Sequence, residues 1–281
     1  MKEKFKASTI FIILGILSAA LTLFPMYIMV VNSFKGRAQI FTDTIGLPAS
    51  LDFSYYISAI EKMKFLKALS NSLFVTIISI VLIIIFSSMS AWAIVRSNSK
   101  LGSFILYTFI ATMLVPFQSV MIPLMQYMSG WEIKAINFSM IDTYYGLIFM
   151  YIGFGSSLSI FLYHGFIKAF PRSLEEAAMI DGCNKFQVFW RIVFPNLKSI
   201  TVTVAILNVI WIWNDYLLPS LVLRSPGLRT IPLSTFYFFG EFTIQWNLAM
   251  AGLVLTIIPI IIFYLFSQKY IIKGVMAGAV K

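Results

Sequence analysis

Glu175-Glu176-Ala177-Ala178-Met179-Ile180-Asp181-Gly182 and, after nine further residues, Ile192-Val193-Phe194-Pro195 decide how this chain is read. They sit in a polar stretch, His164–Ser199, inside a sequence that otherwise reads as membrane. A chain that only spans lipid has no need of a long polar insert with helix caps and an amphipathic face. A chain that touches something in the aqueous phase does.

Outside that stretch the composition is extreme. Of 281 residues, 59% are hydrophobic and 11% charged, against about a quarter charged in soluble domains. One membrane domain is the simplest reading. The net charge of +10 suits short basic loops beside apolar runs and anionic headgroups. Dense basic patches with interleaved aromatics, the mark of nucleic-acid binders, do not occur. Cys183 and His164 are the single cysteine and histidine, so an internal disulfide and a His/Cys metal site are both set aside.

A span needs about 20 apolar residues. Six stretches qualify: Ile10–Val31, Leu69–Val95, Phe104–Met128 with Pro116 and Pro123, Tyr145–Tyr163, Ile200–Leu223, and Leu248–Phe266 with Pro259. The first is too long for a signal-peptide core and reads as an uncleaved span. With the N-terminus inside, 13 of the 21 Lys and Arg fall on inner segments, which favours both termini in the cytosol. The expected fold is therefore an all-α membrane protein with six transmembrane helices. We divide it into 1–68 (first span and outer loop), 69–266 (core) and 267–281 (cytosolic tail). The outer stretches Asn32–Ala68 and Arg224–Asn247 are long enough to carry structure of their own.

Several chemistries lack their residues. No G-x-x-x-x-G-K-[ST] loop is present, so the chain cannot bind and split ATP alone. H-E-x-x-H and G-x-S-x-G are absent, and Gly153-Phe154-Gly155-Ser156 has the wrong spacing for the latter. A close glycine pair on a membrane helix reads as a packing seam.

Within the polar stretch, Ser173-Leu174-Glu175-Glu176 fits a capping box, and the two acids suit a helix N-terminus. Gly182 is placed to end that helix in a left-handed cap, giving a helix over Leu174–Asp181. Phe186, Phe189, Trp190 and Val193 follow at i, i+3, i+4 and i+7, one apolar face that Pro195 terminates. The result is a two-helix elbow between two spans. It packs on the protein's own membrane face or docks a partner.

Glu176-Ala177-Ala178, three residues, Gly182, nine residues, then Ile192-x-x-Pro195 resembles the E-A-A-x3-G-x9-I-x-L-P loop of ABC-importer permeases, with Phe194 at the usual leucine. Asn71-Ser72, Trp213-Asn214-Asp215-Tyr216 and the ending Lys273–Lys281 extend the resemblance, over nearly the whole chain, to the MalG-like permeases of carbohydrate importers. What this implies is a type I importer fold whose first elbow helix is a coupling helix. Glu175, Glu176, Ala177, Ala178, Asp181, Gly182, Ile192 and Pro195 would serve it, the acids pairing with basic groups of an ATPase subunit dimer. ATP and Mg2+ would be held by that ATPase, with no cofactor or metal in this chain. A second, MalF-like permease, an external solute-binding protein and membrane lipid would complete the assembly in the cytoplasmic membrane. The tail would also reach the ATPase dimer.

Asp215 is the one acid at membrane depth and hence a candidate gate. A helix-end residue satisfied by Trp213, Asn214 or the broken backbone before Pro219 explains it as well. Asn208, Trp211, Trp213 and Asn214 are, with Asp215, the five candidates for a sugar path or its gate. Interfacial aromatic belts account equally for the tryptophans. Three classes remain: an ATP-driven sugar importer subunit, a secondary transporter or channel working without ATP, and a membrane enzyme. Oligosaccharides lead as substrate, with glycerol-3-phosphate or another polar solute as alternatives.

Overall fold

The structure, a computed structural model, describes residues 2–133, 138–240 and 244–279, with side chains for 11–131, 138–240 and 244–269. The side chains of Lys2, Lys4, Lys6, Lys134 and Lys273–Lys281, used above for orientation and for the tail, lie outside these.

Helices α1 (Lys2–Asn32), α2 (Arg37–Thr42) and α3 (Ser54–Lys62) open the chain, followed by the 33-residue α4 (Phe65–Ser97). Helices α5 (Lys100–Thr112) and α6 (Phe117–Ser129) lead to a two-stranded antiparallel pair, β1 (Glu132–Ile133) and β2 (Phe138–Ser139), in register Glu132↔Ser139. Helix α7 (Tyr144–Lys168) enters the elbow, made of α8 (Ser173–Ile180), α9 (Lys185–Val188), a π-turn (Phe189–Val193) and α10 (Phe194–Asn196). Helices α11 (Lys198–Asn214) and α12 (Leu217–Val222) follow, then a 3-10 turn (Pro226–Leu228) and α13 (Ile231–Thr235). A second 3-10 turn (Phe236–Phe238) and α14 (Trp246–Ala279) complete the order.

Four helices among the described residues are long and apolar enough to span: Phe11–Asn32, Phe65–Ser97, Tyr144–Lys168 and Trp246–Lys269. The count reaches six if two bent pairs are each taken as one span. The third expected span is not continuous: α5 and α6 meet at 106°, because Pro116 has no N–H to extend α5 and caps α6 instead. The fifth, expected over Ile200–Leu223, breaks at Asp215, where α11 stops, and a 76° joint between α10 and α11 stands just before it. Pro25, Pro123 and Pro259 lie inside their helices.

The chain divides into two compact units, Met1–Lys67 with Leu233–Ile261, and Ala68–Pro232 with Ile262–Lys281. In the first, Ala59, Met63, Phe238, Leu248, Ala249 and Ala251 form a small core. There Lys35 is fully buried and its Nζ donates to the Asp43 carbonyl at 2.6 Å, closing the end of α2. The outer stretches thus carry short helices, as their length suggested.

The second unit has the reversed polarity of a membrane bundle. On α4, Asn71, Ser72, Thr76, Ser79, Ser87 and Ser88 are buried while Leu73, Phe74, Ile77 and Val81 are exposed. Small polar groups let helices approach and pair across the interface, and the bulky apolar ones are left for lipid. Beneath the elbow the core turns apolar: Ala91, Tyr163, Ile167, Ala178, Val188, Phe189, Val193, Leu197 and Val204 join α4, α7, the elbow and α11 in one cluster.

Candidate functional site

The elbow is built differently from its expected form at three points. Helix α8 starts at Ser173 with Arg172 before it and no side-chain cap; Glu176 is drawn into an ion pair with Arg172 at 3.1 Å instead. The capping box lies one helix later. Asn184 Oδ1 accepts from Gln187 N and Gln187 Oε1 accepts from Asn184 N, both at 2.9 Å. An N-x-x-Q pattern signalled it in the sequence. Third, Pro195 does not end the second helix. It cannot donate to the Arg191 carbonyl, and its ring crowds that group, so the preceding turn widens and Phe194 N–H reaches back five residues to Phe189. The expected apolar face shifts with it. Val188 and Val193, five apart, are buried with Phe189, whereas Phe186 is exposed.

The end of α8 follows the sequence reading. Gly182 has φ +88°, its N–H bonds to Met179 O at 3.1 Å, and Cys183 N–H bonds to Ala178 O at 3.0 Å. These are the two reversed bonds of a glycine-terminated helix.

Glu175 departs furthest from expectation. It is 3% exposed, and its carboxylate is used up inside the chain rather than offered to a partner. Oε1 accepts from Arg96 Nε (2.9 Å) and Nη2 (2.6 Å), and Oε2 from Trp92 Nε1 (2.9 Å). Arg96 Nη2 also reaches Phe170 O at 3.3 Å. A 100° step along α8 turns its neighbours outward: Glu176, Ala177 and Asp181 are exposed, with Leu174, Met179 and, at 86%, Ile180. Ala178 packs inward beside Glu175, Ile192 is half-buried and Pro195 exposed. A crevice of ≈350 Å³ beside α8 is lined by Trp92, Arg96, Arg172, Glu175, Met179 and Lys185.

Of the polar residues at membrane depth, two are committed to holding helices. Asp215 Oδ1 accepts from Leu217 N (3.0 Å) and Leu218 N (3.4 Å), starting α12 where α11 stops, and Oδ2 accepts from Tyr151 OH on α7 at 3.0 Å. The broken-backbone account of this acid is the one its geometry supports. Asn208 is buried, and its Nδ2 donates to Ser159 Oγ (3.1 Å) and Val204 O (2.9 Å), a helix–helix link rather than a path contact. Trp213 is buried as well, while Asn214 folds back onto Ile210 O at 2.7 Å. Trp211 alone of the five candidates borders a hollow of ≈950 Å³ between α5, α6, α7 and α11, with Phe109, Tyr127, Phe149 and Phe154.

At the opposite end of the bundle a loop is held by residues to which the sequence assigned no task. Asp142, at φ +59°, accepts from Arg224 N (2.8 Å), Ser225 N (2.8 Å) and Ser225 Oγ, and donates its own N–H to Val222 O at 2.8 Å. Burial opposes its charge, but the Ser225 hydroxyl, the two backbone N–H groups and the Arg224 charge outweigh it and hold the carboxyl below its ordinary value. Asn71 Nδ2 donates to Gly227 O and Arg229 O, both 2.9 Å, and its Oδ1 accepts from Tyr144 OH at 2.7 Å. Ser72 Oγ accepts from Ile231 N at 2.8 Å. The quoted Asn71-Ser72 pair was the only hint of this.

Residues 83–276 match the family described as binding-protein-dependent transport system inner membrane component. The chain belongs to that family. This inner membrane component is 48% identical over 95% of both chains to a probable starch degradation products transport system permease protein, AmyC, of Thermoanaerobacterium thermosulfurigenes. It is 31% identical, over 98% of both, to the melibiose/raffinose/stachyose import permease protein MelC of Bacillus subtilis strain 168. Among solved structures, a bacterial ABC transporter involved in the import of the acidic polysaccharide alginate superposes with a TM-score of 0.79, at 23% identity, covering 96% of this chain and 98% of that one. That likeness supports the fold. Family membership also decides among the three classes of function: the inner membrane component is a transport permease, and the enzyme and stand-alone transporter readings are given up.

Proposed function

We propose that the chain is the permease subunit of an ATP-driven importer for oligosaccharides, and that α8 is its coupling helix. The carrying observation is the outward face of α8. Leu174, Ala177, Met179 and Ile180 are exposed on a short helix that is anchored from behind by Glu175 and closed by Gly182. An apolar patch on a polar loop, flanked by the charges of Glu176 and Asp181, has the make-up of a docking surface. Its partner is an ATPase subunit dimer that binds ATP with Mg2+; this chain supplies no phosphate loop. A second permease chain, a solute-binding protein on the far side and cytosolic termini complete the assembly. Substrate class rests on the relatives, whose names refer to starch degradation products, melibiose, raffinose and stachyose.

The test is uptake of labelled malto-oligosaccharides in vesicles holding the chain with its ATPase, its companion permease and its binding protein. Wild type should accumulate sugar only with ATP. Glu176→Lys and Gly182→Asp should abolish uptake while membrane insertion persists. Normal uptake by both variants refutes the coupling role of α8, and uptake without ATP refutes the importer itself.

A further inference from the structure

Helix α4 is tied to loops at both of its ends. Toward the elbow, Arg96 and Trp92 hold both carboxylate oxygens of Glu175 on α8. Trp92 also packs its ring 5.4 Å from Phe189 in the π-turn, so α4 grips both arms of the elbow. At the other end, Asn71 and Ser72 hold the backbone of the loop after α12 at Gly227, Arg229 and Ile231. From Asn71 to Arg96 the helix rises about 38 Å. Between them it has neither proline nor glycine, whereas α6 carries Pro123, α7 carries glycines, and the route through α11 is jointed at Leu197 and broken at Asp215.

We propose that α4 is a rigid rod that carries displacement of α8 to the Arg224–Ile231 loop, with Glu175, Arg96, Asn71 and Ser72 as the positioning residues at its two ends. The proposal rests on the coupling reading of α8 and goes beyond it, since it assigns the route from the docked helix across the bundle. A buried ion pair is weak evidence for stability, and fixing one geometry is its better-attested use. Arg96 holds one oxygen of Glu175 and Trp92, one turn earlier on α4, holds the other, which fixes the orientation of the carboxylate against α4 as well as its distance. The outer end is fixed in the same manner, with one carboxamide spanning two carbonyls of the loop. A push on the exposed face of α8 is therefore delivered to α4 through Glu175, and to the far loop through Asn71 and Ser72.

The experiment uses the complete vesicle-reconstituted importer and reads sugar moved per ATP hydrolysed. Glu175→Gln and Asn71→Ala should each lower that ratio at least tenfold. Sites about 38 Å apart ordinarily act independently, so their effects would multiply. As two ends of one rod, the double variant should be no worse than the poorer single one. Ser72→Ala and Trp92→Phe, which each remove one hydrogen bond, should lower the ratio by threefold or more and cover the case in which the stronger variants do not assemble. A ratio within twofold of wild type in the single variants, or a double variant equal to the product of the singles, overturns the rod. Failure of wild type to import with ATP removes the function proposed above instead, so the two outcomes are distinct.

Discussion

Gly153 and Gly155 lie two residues apart on α7 and give a matched test of how closely the bundle packs. A methyl group at Gly155 would stand 2.6 Å from Ile83 Cδ1 and 2.8 Å from Asn208 Oδ1. Ile83 is fully buried, and the Asn208 carboxamide is fixed by its bonds to Ser159 and Val204, so neither withdraws freely. At Gly153 nothing lies within 4 Å of the added carbon. Both positions are mid-helix, so glycine to alanine gains about 1 kcal/mol of helix propensity at each, and that gain cancels in the comparison. Overpacking costs about 1–3 kcal/mol at Gly155 alone. Gly153→Ala should therefore be neutral or slightly stabilising, and Gly155→Ala less stable than it by that 1–3 kcal/mol. At roughly 2–4 °C per kcal/mol for a chain of this size, the gap in apparent melting temperature is about 2–12 °C. The assay is thermal loss of monodisperse protein for both variants in the same lipid nanodiscs. Ile83→Val, which deletes the clashing Cδ1, should recover part of the loss when combined with Gly155→Ala. Gly155→Ala melting at or above Gly153→Ala would show that α4 and α11 do not close on α7 at this point.

Three further outcomes follow from the same geometry. Gly182→Ala puts a side chain at φ +88° at a cost of about 1–2 kcal/mol with no steric neighbour; Gly182→Asn, better suited to that backbone, should retain more uptake. Asp142→Ala frees the N–H groups of Arg224 and Ser225, so trypsin should cut after Arg224 several-fold faster. Because the folded carboxyl titrates below its ordinary value, its hold on the loop is present above about pH 4 and is lost as pH falls through the lowered value; hydrogen exchange at the Arg224 and Ser225 amides should rise only there, and Asp142→Asn should remove that dependence. Asp215→Asn keeps an acceptor for Leu217 and Leu218 and should transport, whereas Asp215→Ala forfeits a cap worth about 1 kcal/mol and strands the buried Tyr151 hydroxyl. Equal loss in both variants would point to a titrating role for Asp215 instead.

Composition and spacing carried the class of the molecule because both act locally. Apolar runs need no tertiary partner to be recognised, and Gly182 is a backbone requirement visible from one residue. The misreadings share one cause: they depended on which of two nearby groups captures a side chain. Glu176 had Ser173 and Arg172 to choose from and took the charge. Glu175 and Glu176 look interchangeable in sequence, yet a 100° turn sends one into the bundle and the other into solvent, and the partners that make burial of Glu175 tolerable lie 79 and 83 residues away on α4. Breaks at Pro116 and Pro195 were marked by the prolines, but their form was not. The ring blocks one hydrogen bond, and the surrounding packing selects a 106° corner in one case and a widened turn in the other.

The polar residues of the fifth span show how tertiary context reassigns chemistry. Asn208, Asp215 and Trp211 all have groups suited to a sugar, and from the sequence they form one candidate path. Asn208 and Asp215 are each engaged by residues of α7, the carboxamide Nδ2 at Ser159 and the carboxylate Oδ2 at Tyr151, so both already serve to hold helices together. Trp211 remains, standing edge-on to Tyr151 with centroids 5.4 Å apart and bordering the hollow with other aromatic rings. A wall of that kind offers stacking faces and few hydrogen bonds. Aromatic faces receive the apolar side of many sugars, while hydroxyl-by-hydroxyl discrimination needs aligned donors and acceptors. On the proposed function, this chain should therefore tolerate sugars of different linkage, and swapping the binding protein should change which oligosaccharide is imported more than Trp211→Phe does.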